Sequence, residues 1–571
     1  MAATRDEAIA ALTAPGAPFE LEAIEIGGIP MRVFAQAPAS MRDVLAGTAV
    51  HGDRDFLVYE GERTTYREHL GLVAGLAGYL ADEHGIGKGD RIAIGMRNYP
   101  EWVISFWASM ALGAIAVPLN AWWLGHELEY AITDSGAKAL LIDGERLERL
   151  ADVRQGLGVD VVIAARARGE VPEDVLRWED LRTRLDVTRP LPDVEIVPED
   201  PATILYTSGT TGLPKGALAT NRNHVTNIMN TLLLGAVAAA VNGTPPPDPA
   251  APPPQGASLQ VFPFFHIGGL SGLYVSTAVG SKLVTMYKWD VETAVGLLAK
   301  EHITSTAMVP TVLRQLLDSP LLETLPREAL AGISSGGGPV PPDLIRRIET
   351  EFETKVSPAN GYGLTETTSA VVINSGRDYF DNPDSVGRPA VGADVRIVDP
   401  DGNDLPDGSI GELWVRGPNV VTGYWHKPEA TAAAFTDGWF HSGDLARRDD
   451  RGFIFVVDRL KDVVIRGGEN IYSAEVEAVL FEHPAVLDVA VVGLPHDVYG
   501  EEVAAVVELR DDQEATAGEL QRFAAERLAR FKVPEHVFFR TEPLPRTATG
   551  KVLKRELRDE LTTAAGTPPT G

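Results

Sequence analysis

The chain has 571 residues, 44% of them apolar and 23% charged, which excludes both a disulfide-stapled miniature and a mainly disordered polypeptide and leaves room for several folding units. Its 51 Lys and Arg against 80 Asp and Glu leave a net charge of −29, so nucleic acid and anionic membrane are repelled at long range and an anionic ligand needs locally placed cations and backbone amides. There is no cysteine, which removes disulfides, thiolate nucleophiles and iron–sulfur sites together.

Residues 1–18 carry acidic side chains and no long apolar core, so they do not read as a signal peptide. Thr65 and Glu68 have capping-box spacing, and Leu70, Val73, Ala77 and Leu80 follow at helical intervals until Gly85 and Gly87. That spacing predicts a helix after Thr65, and a strand is expected at 91–96. The apolar run 102–117 ends at Pro118 and is shorter than the roughly 20 residues a bilayer requires, so it reads as a buried helix running into a strand. Apolar runs at 139–142, 161–164, 203–206, 259–262 and 306–309 alternate with helical stretches, the rhythm of parallel sheets covered by helices.

Residues 244–256 hold seven prolines in thirteen positions, after the apolar stretch 228–241. A solvated spacer loop is expected there, with a lobe touching a membrane or partner as the alternative. From 392 to 457 the texture changes to short alternating strands at 395–398 and 410–415, joined by turns at Asp401–Gly402 and Asp407–Gly408. A strand–helix–strand pattern resumes at Asp458. The expected fold is α/β: an N-terminal domain of parallel sheets flanked by helices at 1–457, including an antiparallel β subdomain at 392–457, then a small α+β domain at 458–571.

The segment YTSGTTGLPKG, residues 206–216, follows a predicted strand. Thr207, Ser208, Thr210 and Thr211 alternate with Gly209, Gly212 and Gly216, and Lys215 closes the run. Close backbone approach, rotatable donors and one point charge suit a polyphosphate, although Pro214 breaks the GxxxxGK[ST] pattern. Gly361-Tyr362-Gly363-Leu364-Thr365-Glu366 begins like a dinucleotide fingerprint, but Glu366 stands where the third glycine belongs, a carboxylate that tolerates pyrophosphate only across a magnesium ion. Gly332-Ile333-Ser334-Ser335-Gly336 matches GxSxG and makes Ser334 the nucleophile of a rival hydrolase reading, while the triple glycine Gly336, Gly337 and Gly338 points instead to close ligand approach. Residues 527–558 hold nine Lys or Arg against three Asp or Glu, and Lys551 lies there in the loop PRTATGK, 545–551. Such loops carry catalytic charge.

With HSGDLA at 441–446 and DRLKDVVIRGGENI at 458–471, these segments resemble, in order, the adenylate-forming superfamily of acyl-CoA synthetases, peptide-synthetase adenylation domains and beetle luciferases. The resemblance spans residues 40–560 and implies a ligase that attacks the α-phosphate of Mg·ATP with a carboxylate, releases pyrophosphate and then passes the acyl group to a thiol. By resemblance, Thr207, Ser208, Gly209, Thr210, Thr211, Gly212 and Lys215 hold phosphates, with Thr211 counted among the catalytic residues. Glu366 ligates magnesium, and Gly336, Gly337, Gly338, Gly361, Tyr362, Gly363 and Thr365 surround the nucleotide, with Tyr362 on adenine. Asp444 and Arg459 meet the ribose, the alternative for that pair being a surface ion pair. Lys551 bridges the carboxylate and the α-phosphate.

The C-terminal AMP-binding domain is mobile in this family, and Lys461 matches its hinge; Gly467 and Gly468 match the pantetheine tunnel. His266, in FPFFHI, either gates or polarises the acid or is simply a core histidine. The aromatic segment lacks the acidic residue that reads an amino group, so an amino-acid substrate is disfavoured. The resemblance thus implies a cytoplasmic acyl-CoA synthetase of lipid or related carboxylic-acid metabolism that activates a fatty acid, with ATP, Mg2+ and CoA as cofactors and co-substrate. A carrier-protein thiol is the alternative acceptor. No nucleic acid partner and no transmembrane span are expected, with peripheral membrane contact and oligomeric state left open.

Overall fold

The computed structural model describes residues 3–207, 213–244, 254–325, 330–352, 356–547 and 551–565. The chain divides into two compact units: residues 1–383, 387–394 and 415–440, and residues 384–386, 395–414 and 441–571. Residues 395–414 and 441–457 thus group with the C-terminal segment, where their texture had suggested the N-terminal domain. The physical link is Asp458, at the end of strand Ile454–Arg459, whose carboxylate caps the helix Ser473–Phe481 by accepting from the Ser473 and Ala474 amides.

Local rules explain the elements of the first unit. Thr65 Oγ1 accepts from the Glu68 amide at 3.2 Å and the Glu68 carboxylate accepts from the Thr65 amide at 2.8 Å, which starts the helix Tyr66–His84. Gly85, at φ +62°, ends it. The helix Pro100–Leu112 is buried at every position and leads into strand Ile115–Pro118, so the apolar run 102–117 is interior. Among the described residues one helix, Asn221–Val241, is long and apolar enough to cross a membrane, and half of its most apolar window is buried in the fold. Residues 245–253 of the proline-rich segment lie outside the described residues.

Two sheets form this unit. In the first, Lys215–Thr220, Pro201–Thr207, Ile115–Pro118, Arg91–Gly95, Ala139–Asp143, Val161–Ala165 and Val175–Arg177 lie side by side, parallel except for the antiparallel first pair. In the second, Ser357–Leu364, Gly332–Gly336, Ser305–Met308, Ala257–Gln260, Lys282–Thr285 and Asp55–Tyr59 run parallel, with antiparallel strands at both edges. The strand expected at 259–262 ends at Gln260, because Gln260 Nε2 turns back to donate to the Phe262 carbonyl at 2.9 Å.

In the second unit, Gly500–Leu509 pairs antiparallel with Val486–His496 and parallel with His536–Arg540, and Val464–Arg466 and Glu469–Ile471 complete the sheet. Helices Ser473–Phe481, Ala517–Ala525 and Lys554–Ala565 pack on it. Glycines at φ +81° (Gly402) and +87° (Gly408) make the two expected turns of the neighbouring β segment.

Candidate active site

The two ends of segment 206–216 lie on an antiparallel strand pair. Thr207 faces Lys215 across the antiparallel pair, and the preceding Tyr206 donates its hydroxyl to Asp134 Oδ2 at 2.7 Å. Ser208, Gly209, Thr210, Thr211 and Gly212 lie outside the described residues. Lys215 Nζ stands 5.2 Å from the centre of the Tyr424 ring, within cation–π range. Tyr424 in turn donates its hydroxyl to Glu366 Oε1 at 2.7 Å. Burial, and then the Glu366 carboxylate, push the Tyr424 hydroxyl well above its ordinary value, so it stays a donor. Sequence reasoning missed Tyr424; its only signal is the GYW segment beside the β subdomain. The chain pairs there, with Leu218 N donating to the Gly423 carbonyl at 3.0 Å and Trp425 N to the Gly216 carbonyl at 2.7 Å.

Glu366 is 8% exposed and sits on a strained turn. Leu364 N donates to Thr367 Oγ1 at 2.8 Å, Thr365–Thr367 forms a single 3-10 turn, and Thr368 and Ser369 follow at φ +48° and +81°. Two consecutive non-glycine residues in the left-handed region mark stored strain of the kind found at ligand sites. Gly363 is required here, because a Cβ would come within 1.8 Å of the Ser369 carbonyl oxygen. Gly336, at the carboxyl end of Gly332–Gly336, is the direct partner of Gly361 in the parallel strand Ser357–Leu364, and a Cβ on Gly336 would meet the Gly361 carbonyl at 3.1 Å. The bare main chain of Gly336, Gly337, Gly338 and Gly361, with Tyr362 next in line, thus forms a ligand-accessible edge where parallel sheets ordinarily bind. Ser334 lies mid-strand, flanked by Ala307 and Ala359. It is not on a strand-to-helix elbow, so the hydrolase reading fails on geometry.

His266 caps the helix Ile267–Ala278: its Nδ1 accepts from the Gly268 amide at 3.1 Å. Burial lowers its pKa to about 4, so the ring is neutral at pH 7 and, with Nδ1 occupied as an acceptor, its proton sits on Nε2. The ring stacks on Phe262 with a 6.1 Å centroid separation. Asn98, also missed, holds this segment from both sides, with Nδ2 donating to the Phe262 carbonyl and Oδ1 accepting from the Phe264 amide, each at 2.9 Å. Gly269 and Gly272 let the chain pack closely, since Cβ atoms there would meet the Pro263 carbonyl oxygen at 2.0 Å and Gln260 Oε1 at 2.6 Å.

In the second unit, Asp444 is 3% exposed and sits opposite Arg459 in the strand pair, with Arg459 Nε 3.0 Å from Asp444 Oδ1. The carboxylate is buried, while the Arg459 side chain is 35% exposed. Lys461 lies on the short turn between strands Ile454–Arg459 and Val464–Arg466, where Asp462 N donates to the Arg459 carbonyl at 2.9 Å. Gly467 and Gly468, at φ +60° and +88°, are the two-residue hairpin turn that follows. Among the described residues, seven of the nine cations in 527–558 pair with carboxylates; Lys551 has no such partner. Its amine lies near Arg459, Asp444, Lys461 and Asp462, and burial, followed by the Arg459 charge, lowers its pKa to about 7. Residues 548–550 of its loop lie outside the described residues.

Among the described residues no three His, Cys, Asp or Glu side chains gather into a metal cage. A magnesium ion that arrives on nucleotide phosphates needs only one or two protein carboxylates, and the buried Glu366 beside Lys215 fits that requirement. The AMP-binding enzyme family matches residues 46–425, and the AMP-binding enzyme C-terminal domain matches residues 475–551.

The chain belongs to the AMP-binding enzymes. This AMP-binding enzyme is 35% identical to a feruloyl-CoA synthase of an Amycolatopsis species over 87% of its length and 94% of that protein. It is 36% identical to a 2-succinylbenzoate–CoA ligase of Bacillus velezensis, over 89% and 95% of the two chains. With a long-chain-fatty-acid–CoA ligase of Escherichia coli the identity is 33%, over 93% and 96%. The solved o-succinylbenzoate-CoA synthetase of Bacillus subtilis, in complex with its acyl-adenylate intermediate, superposes with a TM-score of 0.75 at 31% identity, covering 92% of this chain and 99% of that one. The AMP-binding enzyme is therefore a member of the adenylate-forming acyl-CoA ligases, as its five motifs imply.

Proposed function

We propose that this AMP-binding enzyme activates a fatty or related carboxylic acid as its acyl-adenylate, releasing pyrophosphate, and then transfers the acyl group to CoA. The observation that carries the reading is Lys551: a cation with no carboxylate in ion-pair contact among the described residues, in a strongly acidic chain, held beside the Asp444–Arg459 pair. A carboxylate is a poor acyl electrophile until it receives a good leaving group, and the α-phosphate gathers charge as it is attacked. Lys551 supplies the compensating charge. Lys215, Thr207 and the loop after it take the β- and γ-phosphates, Glu366 oriented by Tyr424 takes the magnesium that neutralises them, and Asp444 with Arg459 takes the ribose. Tyr362 and the glycine edge take the base. His266, neutral with its proton on Nε2, offers one hydrogen bond to the acid.

Lys461 serves as the hinge at a boundary near 458–461, and Gly467 and Gly468 serve the thiol step. An aromatic acid is the second reading. It is favoured by the flat Phe262–His266 stack, whose Phe262 ring stands 3.4 Å from the position of a Cβ on Gly337, and by relatives named for feruloyl, succinylbenzoate and indoleacetate substrates. Exchange of labelled pyrophosphate into ATP, screened over aliphatic and aromatic acids and repeated with CoA and with a carrier protein, tests all of this. No exchange with any acid overturns the proposal. Thioester formed on the carrier protein and not on CoA overturns the acceptor.

A further inference from the structure

Lys554, three residues beyond Lys551, opens the helix Lys554–Ala565. Its ammonium is 2.7 Å from Glu477 Oε1 and donates to Ser473 Oγ at 2.6 Å. Glu477 Oε1 also accepts from the Val491 amide at 2.7 Å, which anchors it to the central strand Val486–His496. Ser473 Oγ donates onward to Asp458 Oδ2 at 2.9 Å, and Asp458 Oδ1 accepts from the Arg459 amide at 2.7 Å. Ser473 and Asp458 are 0% and 6% exposed, and the Lys554 and Glu477 side chains 18% and 15%.

One largely buried cation therefore serves two carboxylates, Glu477 directly and Asp458 through the Ser473 hydroxyl. Apolar side chains of similar volume often stabilise such a site as well or better, so stability alone does not account for the network, and in some proteins buried ion pairs of this kind fix register instead. The register at stake is visible in the sequence of links: Lys551 is joined through Val552 and Leu553 to Lys554, Lys554 to Ser473, Ser473 to Asp458, and Asp458 directly to Arg459, which holds Asp444.

We propose that Lys554 is a positioning residue for adenylation: its ammonium, held by Glu477 and by Ser473 on Asp458, fixes the Lys551 amine at a set distance from Arg459 and Asp444. The inference rests on the role of Lys551 proposed above. The groups facing Lys551 are Arg459 and Lys461, which oppose its charge, and Asp444 and Asp462, which favour it. Arg459 and Lys461, added to burial, bring the amine to about 7. If the loop is released, Lys551 leaves those neighbours and its titration returns toward the ordinary lysine range.

The test uses the full chain with Lys554→Met, with the double variant Lys554→Met/Glu477→Gln, which leaves no unpaired carboxylate at Glu477 to impair folding, and with Lys554→Arg. Three quantities are read: pyrophosphate exchange, thioester formation from supplied acyl-adenylate, and the pH midpoint at which an amine-acylating reagent labels Lys551, mapped by mass spectrometry. The expected result for the double variant is an adenylation kcat lower by on the order of 10²-fold, with KM for ATP and the use of supplied acyl-adenylate unchanged. Its labelling midpoint should rise above that of the wild type, and Lys554→Arg should restore both rate and midpoint. A folded double variant with wild-type exchange rate and wild-type midpoint overturns the inference. A Lys551→Ala variant that still adenylates refutes instead the role of Lys551, and in that case the labelling midpoint alone decides whether Lys554 sets the amine's position.

Discussion

Replacing Lys551 with methionine should make the C-terminal unit more stable while abolishing adenylation. The drop in the Lys551 pKa from 10.5 to about 7 comes first from burial and then from Arg459 and Lys461, partly offset by Asp444 and Asp462. At about 1.36 kcal/mol per pH unit, that difference is a cost of about 5 kcal/mol to the folded state below pH 7, where both states carry the proton. Between 7 and 10.5 the unfolded chain binds the proton and the folded one does not, so wild-type stability climbs with pH. Above 10.5 both are neutral and the cost is gone. An amine on a loop relieves part of this by turning toward water, which lowers the expected gain for Lys551→Met to about 1–3 kcal/mol at pH 6. The gain should shrink toward zero by pH 10. Amide hydrogen exchange of strands Val486–His496 and Gly500–Leu509, at several pH values in wild type and variant, measures it. A variant no more stable at pH 6, or a gain that does not shrink with rising pH, refutes the reasoning.

Tyr424→Phe deletes the 2.7 Å hydrogen bond to Glu366 and should cost about 1.5–3 kcal/mol of magnesium–nucleotide affinity; an unchanged KM for Mg·ATP in pyrophosphate exchange counts against the assignment. Gly363→Ala drives a Cβ to 1.8 Å from the Ser369 carbonyl oxygen and should destabilise the fold by about 3 kcal/mol or more; a urea midpoint within error of wild type would show that the turn yields. His266→Asn retains a side-chain acceptor for the Gly268 amide, so stability should hold to within about 1 kcal/mol while the KM for the acid rises. If both stay put, His266 is a helix cap and nothing more.

Much of the fold could be read from the sequence because its signals are local. The Thr65–Glu68 capping box, the buried run 102–117 and the glycine turns at 402 and 408 each follow from a few neighbouring residues. The ordered motifs also named Thr207 and Lys215, Glu366, the glycine edge and the Asp444–Arg459 pair, each of which lies on a strand or a turn, while what they bind stays a proposal. Four features were not legible. Tyr424 lies 58 positions from Glu366 and Asn98 164 positions from Phe262, so no spacing rule joins them. The GxSxG match at Ser334 is a local pattern whose meaning depends on where the strand ends, and the strand continues through it to Gly336. The cation excess in 527–558 says nothing of what faces it, because partners such as Glu475, Asp488 and Glu501 are distant in sequence.

That neutralisation has a kinetic side. With those positive charges matched at contact range, the molecule's far field keeps the sign set by its −29 balance, and an approaching polyanion meets repulsion before it meets Lys215 or Lys551. Added salt shortens the reach of that repulsion to about 8 Å at physiological ionic strength, so nucleotide capture should quicken as salt is raised, the reverse of the usual behaviour of a phosphate-binding protein.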